Sequence, residues 1–355
     1  MENNYHLLFK TGDAEIRAME KSNFRGDLLF PIVELTRGRK SKYDKVGRIS
    51  KRIEKLSSIF RNQAICLDLT AENSLSNEEI EELYDYSEGY SNWLSFLNEN
   101  KIYFKEIAPT ILVNAEDSNL TENLQSQVNE LVKAFDTIAY RNNISDGGYL
   151  EDLGSIAPII NENENVKFKF IFDCEYVPSG AIHSTIDLVN FRIQKVLDLI
   201  PKSEIIVIST SFPRYVSDIG NDNYDKFPLS ELDIYNGIKE KHQSVLYGDY
   251  GSINPIRNDT VVMARGWIPR IDVPTLEGIY YYRIRNIVRD YAKTYTKVAT
   301  KVATDPDFPD LTDNWGHKQI ISCMHGNAPG SSPSFWISVR MSMFIELQLK
   351  RLEET

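Results

Sequence analysis

Short runs of β-branched and aromatic residues alternate along the chain with segments whose apolar residues recur every three or four positions. Eight runs read as strands: His6–Lys10, Leu28–Leu35, Ala64–Leu69, Pro109–Ala115, Asp136–Asn142, Lys167–Cys174, Glu204–Thr210 and Ser244–Tyr250. Several are almost continuously apolar (AICLDL, TILVNA, EIIVIS), the pattern of a parallel sheet covered on both faces. Between them, Val46, Ile49, Ile53, Leu56 and Phe60 share one helical face, as do Leu124, Val128, Leu131, Val132 and Phe135. Ile186, Val189, Ile193, Val196, Leu197 and Ile200 form the clearest stripe, opened by Ser184 with Asp187. Leu229, Leu232 and Ile238 mark a shorter one. Ser76 and Glu79 have capping-box spacing ahead of Ile80, Leu83 and Tyr84.

Strand then helix, eight times at a spacing of ~30 residues, is the rhythm of a (β/α)8 barrel, and the stretch from His6 to Tyr250 suits the ~250 residues of that fold. An open doubly wound sheet shares the rhythm, but eight strands favour closure. The expected class is therefore α/β, a TIM-like barrel with a C-terminal helical extension. No linker divides the chain, so residues 1–355 are expected to form one domain, with the barrel core over 6–250 and loop and helices over 251–355 closing it. Within that last part, Tyr281–Lys297 reads as a helix carrying Ile284, Ile287, Val288, Tyr291 and Tyr295. DPDFPDLTDNWG reads as loop, and Ser334–Glu353 as a closing helix.

Composition narrows the class without changing it. A 42% hydrophobic and 26% charged chain is globular. Cys66, Cys174 and Cys323 lie far apart with no CxxC pair, which fits a reducing compartment. The N-terminus lacks the basic and apolar regions of a signal peptide, and no apolar run approaches ~20 residues, so the expectation is a cytoplasmic protein without a membrane partner. Charge is unevenly spread. From Arg37 to Arg61 ten Lys and Arg meet only Asp44 and Glu54, a local net of +8 that leaves −19 on the rest of a chain whose total is −11. Ala71–Asn100 holds eight acids and no Lys or Arg. Adjacent helices of opposite charge are expected to neutralise each other, and nucleic acid is the less favoured reading of the basic run, where Tyr43 is the only aromatic between the charges.

Candidate chemistry collects at the C-terminal ends of the strands, the face where barrels of this kind build their sites. Lys10, Glu34, Asp68, Asn114, Arg141, Asp173, Ser211 and Asp249 all fall there, followed by Tyr250. Asp68, Asp173, Asp249, Lys10 and Arg141 are the catalytic candidates, and Glu34, Asn114, Ser211 and Tyr250 the binding candidates. Four carboxylates with a lysine and an arginine either satisfy one another as ion pairs or hold a divalent cation through oxygen. No tight ligand spacing names a metal. STSFP at Ser209–Pro213 supplies hydroxyls with no histidine placed beside them, and GxSxG is absent. HGNAPGSS lacks the ending of a Walker loop and reads as plain loop. Cys323 and His325 read as packed residues.

The order LLFK with Glu15, PIVEL, LDL, FIFDCEY, STSFP, GDYGSINP, WIPRIDVP and YYYR resembles the bacteriophage "beta protein" family, from the first strand to about Arg283. The resemblance maps that family's motif positions to Lys10, Glu15, Glu34, Asp68, Asp173, Ser211, Pro213, Asp249 and Tyr250. It implies a component of an anti-phage defence or toxin–antitoxin-like system, an antitoxin-like or sensing barrel with a protein partner encoded nearby, and it carries over no catalytic mechanism to these residues. The final helix lacks the His-His pair expected from relatives. The alternative from the residues alone is a metal-assisted hydrolase acting on a phosphorylated or nucleotide-like substrate at the barrel mouth.

Overall fold

Alternation within the strands sets the architecture. A computed structural model describes residues 5–22, 28–215, 223–256, 266–285 and 290–353. Eight parallel strands form the ring: β1 (Tyr5–Lys10), β2 (Leu29–Leu35), β3 (Ala64–Leu69), β4 (Glu106–Pro109), β5 (Thr137–Asn143), β6 (Lys167–Tyr176), β7 (Glu204–Thr210) and, after the excluded β8 (Tyr224–Pro228), β9 (Leu246–Asp249). Their order is β4-β3-β2-β1-β9-β7-β6-β5, and the parallel bridge Thr110–Ala139 spans the remaining gap between β4 and β5. Because side chains point to opposite faces in turn, Leu8, Ile32, Cys66, Ala139, Ile171 and Ile206 fill the interior. Leu7, Val33, Leu67, Ile138, Phe170 and Val207 lie in the larger core beneath the helices. Gly248 sits where a Cβ would come within 2.7 Å of Ile208 and 2.9 Å of the His6 carbonyl, so the wall there admits no side chain.

Outside the ring lie α1 (Asp13–Lys21), α2 (Ser50–Phe60), α3 (Glu78–Leu83), α4 (Ser91–Asn100), α5 (Leu120–Ala134), α6 (Tyr149–Glu162), α7 (Ile182–Leu199) and α8 (Ser230–Lys239). The Ser76 capping box is replaced by Asn77, whose side chain accepts the Ile80 N–H at 3.1 Å. The fourth strand is displaced from the expected Pro109–Ala115 to Glu106–Pro109. Pro109 has no N–H to offer a ladder. The apolar run after it is a buried loop, in which the Gln127 amide pairs both the N–H and the C=O of Leu112, at 2.7 and 3.0 Å.

Beyond the ring, β10 (Arg270–Pro274), β11 (Gly278–Arg283) and β8 form an antiparallel sheet in the order β10-β11-β8. This corrects the helix expected from Tyr281. Period two wins there: Tyr280 faces the core under the C-terminal helices, while Ile279 and Tyr281 face the opposite cluster. The helix instead starts at α9 (Tyr291–Ala303), capped by Asp290. Ile287 and Val288 lie outside the described residues. The chain then runs through α10 (Trp315–Met324) to α11 (Pro333–Glu353), which packs beside α1 in the place of the eighth barrel helix. Met341, Ile345 and Leu349 of α11 belong to the barrel's outer core, while Val339, Met343 and Leu347 belong to the second core under β10 and α9. A helix buried on two sides needs apolar residues nearly all round, which is what Ser334–Glu353 offers. Among the described residues no helix is long and apolar enough to cross a membrane.

Candidate functional site

The alternation that fills the barrel with hydrocarbon also ends it with charge. Lys10 pairs in register with Glu34, and Glu34 with Asp68, so three neighbouring strands close on ionic residues pointing inward. Arg141, from β5, reaches across them. Its guanidinium donates to Glu34 Oε2 at 2.9 Å, to Asp68 Oδ2 at 2.8 Å, and twice to Asp173 Oδ2 at 2.7 and 2.9 Å. Lys10 Nζ donates to Glu34 Oε1 at 2.6 Å. Thr110 Oγ1 and the Leu69 N–H donate to Asp68 Oδ1 at 2.6 and 2.9 Å. The Tyr250 hydroxyl and the Glu175 N–H donate to Asp173 Oδ1 at 2.5 and 3.0 Å. Every oxygen of the three carboxylates therefore accepts at least one hydrogen bond. The carboxylates are buried, and the two cations are the more exposed members, at 18% for Arg141 and 11% for Lys10.

The electrostatics follow from this packing. Burial alone would raise the Glu34 carboxyl, but Arg141 and Lys10 outweigh it and hold it at about 2. Asp68 is raised, because burial and the Glu34 charge together exceed what Arg141 and Thr110 supply. Arg141 is pushed further up by Asp173 and Glu34 in spite of its burial, so it stays charged. A guanidinium thus occupies the place among the three carboxylates that a divalent cation would take. Among the described residues, no group of three or more His, Cys, Asp or Glu is arranged to hold a metal ion.

Of the nine candidates, Lys10, Glu34, Asp68, Arg141, Asp173 and Tyr250 converge in this cage. Asn114, Ser211 and Asp249 do not. Asn114 lies in the loop after β4, where its N–H donates to the Tyr90 hydroxyl at 3.0 Å. Ser211 turns towards α8, its N–H donating to Glu231 at 3.0 Å. Asp249 adjoins inward-facing Tyr250 and so points outward by the period of two. There it is fully buried, accepting from Tyr5 and Tyr247 hydroxyls at 2.8 and 2.7 Å and from the Gly251 N–H at 2.8 Å. Burial raises Asp249 to about 6 and, with the Asp249 charge beside it, Glu231 to about 7.

Three participants escaped the reading of strand ends. Thr110 follows the proline that ends β4, and Glu72 approaches Lys10 at 3.6 Å from the loop after β3. Glu175 sits at an irregularity in β6 with φ of 52° and turns its N–H onto Asp173. Period two gives no signal for it, because the group that takes part is a backbone N–H at the place where the strand's alternation breaks. A cleft of about 420 Å³, lined in part by Lys226, Leu276, Asp307 and Leu347, lies apart from these residues.

Fold and site together define a TIM-like α/β barrel whose strand ends are tied by a buried cage of ion pairs around one arginine. The chain belongs to the Beta protein family, whose family model matches residues 5–350. No curated protein matches the sequence.

Proposed function

We propose that the barrel is a partner-binding or regulatory component of a bacterial anti-phage defence or toxin–antitoxin-like system, acting on a protein encoded nearby in the cytoplasm. The setting comes from the resemblance of the motif series to proteins of phages and mobile islands. The observation that carries the scaffold reading is that every oxygen of the three mouth carboxylates accepts from Arg141, Lys10, Thr110, Tyr250 or a backbone N–H group. A general base or metal ligand needs a lone pair directed at water, metal or substrate. Here the carboxylate oxygens are directed at the protein's own donors, so a metal-assisted hydrolase would first have to take the cage apart.

Native mass spectrometry of the chain, co-expressed with its neighbouring gene products, tests this. A stoichiometric protein complex is expected, and it should survive Asp68→Asn and Asp173→Asn in variants that still fold. A phosphorylated small molecule or divalent cation carried by the unmodified protein, and lost from both variants at unchanged melting temperature, would sink the proposal.

A further inference from the structure

The loop joining β2 to α2 leaves the same end of the barrel that carries Glu34, and its charge is not neutralised where neutralisation was expected. The acidic segment after β3 holds this loop by hydrogen bonds. Asn77 donates to the Gly47 carbonyl at 3.2 Å, Glu79 accepts the Ile49 N–H at 2.8 Å, and Arg37 donates to the Ser74 carbonyl at 2.9 Å. Among the described residues, no Lys or Arg of the loop forms an ion pair with that segment. The loop's own acid, Asp44, is turned back on the Gly47 N–H at 2.8 Å and on Lys51 at 2.9 Å. Arg39, Lys40, Lys42, Lys45 and Arg48 are all exposed, and among the described residues none of their side chains forms an ion pair, although the Arg39 charge helps to draw down the Asp13 carboxyl and the Arg48 backbone N–H donates to Asp44.

Two features make this more than a solvated charge run. The loop is shaped in advance: Gly38 N–H donates to the Gly47 carbonyl at 2.7 Å, closing its neck. Gly47 holds φ of 77°, and a Cβ there would lie 2.2 Å from the Gly38 carbonyl oxygen. At the tip, Tyr43 is 85% exposed, with Lys42 Nζ 4.6 Å from its ring centroid. A protein interface would ask for a contiguous apolar patch around such a ring, yet the loop's other large apolar side chain, Val46, is only marginally exposed. A single-stranded nucleic acid asks for what is present: closely spaced cations for phosphates and an aromatic face for a base.

We infer that the Gly38–Arg48 loop is a binding site for single-stranded nucleic acid, with Arg39, Lys40, Lys42, Lys45 and Arg48 on the phosphates and Tyr43 stacked on a base. This inference does not rest on the partner-binding reading above, and neither requires the other. Fluorescence anisotropy with labelled oligo(dT) and oligo(U) tests it, against the same length of duplex. Single strands are expected to bind more tightly than duplex. The affinity should fall with salt at a logarithmic slope of about −0.7 per phosphate neutralised. Lys40→Ala/Lys42→Ala/Lys45→Ala should flatten that slope by about 2, and Tyr43→Ala should weaken binding at least about fivefold. All four positions are exposed, so unchanged melting curves are expected for both variants. The inference is overturned by absence of binding at low salt, by variants that bind as the parent does, or by duplex binding that ignores Tyr43. Loss of an acidic protein from the triple variant, with no oligonucleotide bound by the parent, would assign the loop to a protein instead.

Discussion

Replacing Arg141 by glutamine would leave Glu34, Asp68 and Asp173 buried together and, among the described residues, with a single remaining ion pair, Lys10 on Glu34. Removing one partner from a buried ionic network costs about 3–5 kcal/mol, because the remaining charges stay desolvated. Arg141→Gln is expected to lower unfolding stability by that order in urea titrations, and a loss below about 1 kcal/mol would mean that the mouth can open to water without penalty. The carboxylates outside the barrel behave with pH oppositely to Glu34, whose carboxyl Arg141 and Lys10 draw down. Glu231 and Asp249 bind protons more tightly folded than unfolded, with values raised to about 7 and about 6. The folded state then holds more protons across this range, so their effect is to reduce stability as pH rises from the ordinary carboxylate range through about 7. Glu231→Gln, which keeps an oxygen for the Ser211 N–H, should be more stable than the parent at pH above about 7 and lose that advantage near pH 4. Equal pH dependence of the two melting temperatures would contradict this assignment.

The elements were legible in the sequence where one periodicity acted alone. Ile186 to Ile200 and Ser334 to Glu353 carry uninterrupted helical stripes, and both are helices, α7 and α11. Tyr281 carried two signals, and the strand prevailed because its tyrosines alternate between two apolar clusters that only the tertiary fold creates. The cage was legible as a set of strand ends but not as a membership, since being at the mouth also depends on which face each residue takes. Asp249 and Tyr250 are neighbours in sequence and lie on opposite sides of the wall. The apolar content of the run after β4 predicts a strand, but the ladder shrinks there to the Thr110–Ala139 bridge and the Ile111 N–H on the Ala139 carbonyl, and at Leu112 a side chain from α5 takes its place. Gln127→Leu should therefore leave the buried N–H and C=O of Leu112 unpaired, at about 1–3 kcal/mol for each group. Denaturation midpoints measure the loss, and amide exchange at Leu112 should accelerate beyond that of β3. Unaltered exchange at Leu112 would show that the loop is held without Gln127.

At the scale of the molecule, the barrel and the C-terminal sheet are coupled by a helix that belongs to both. The chain leaves the ring at β9, builds β10, β11, α9 and α10, and only then returns with α11 to the position beside α1. One side of that helix completes the barrel's outer core and the other completes the second core. Arg340 reinforces the joint, buried against Phe212 at 3.7 Å and donating to Asp272 at 2.6 Å and to Ser252. Neither core keeps its apolar boundary if α11 detaches, so the two should unfold together. Calorimetry is expected to give a single transition. Met343→Ala in the second core and Ile345→Ala in the barrel core should each shift that whole transition down, at about 2–5 kcal/mol apiece. Two separable transitions, with Met343→Ala moving only one of them, would instead make the C-terminal sheet an independent body that borrows a helix without stabilising the barrel. A shared transition carries a functional consequence: a partner or ligand bound at the outer sheet would stabilise the caged mouth through α11, since whatever binds the folded state of a cooperative unit stabilises all of it.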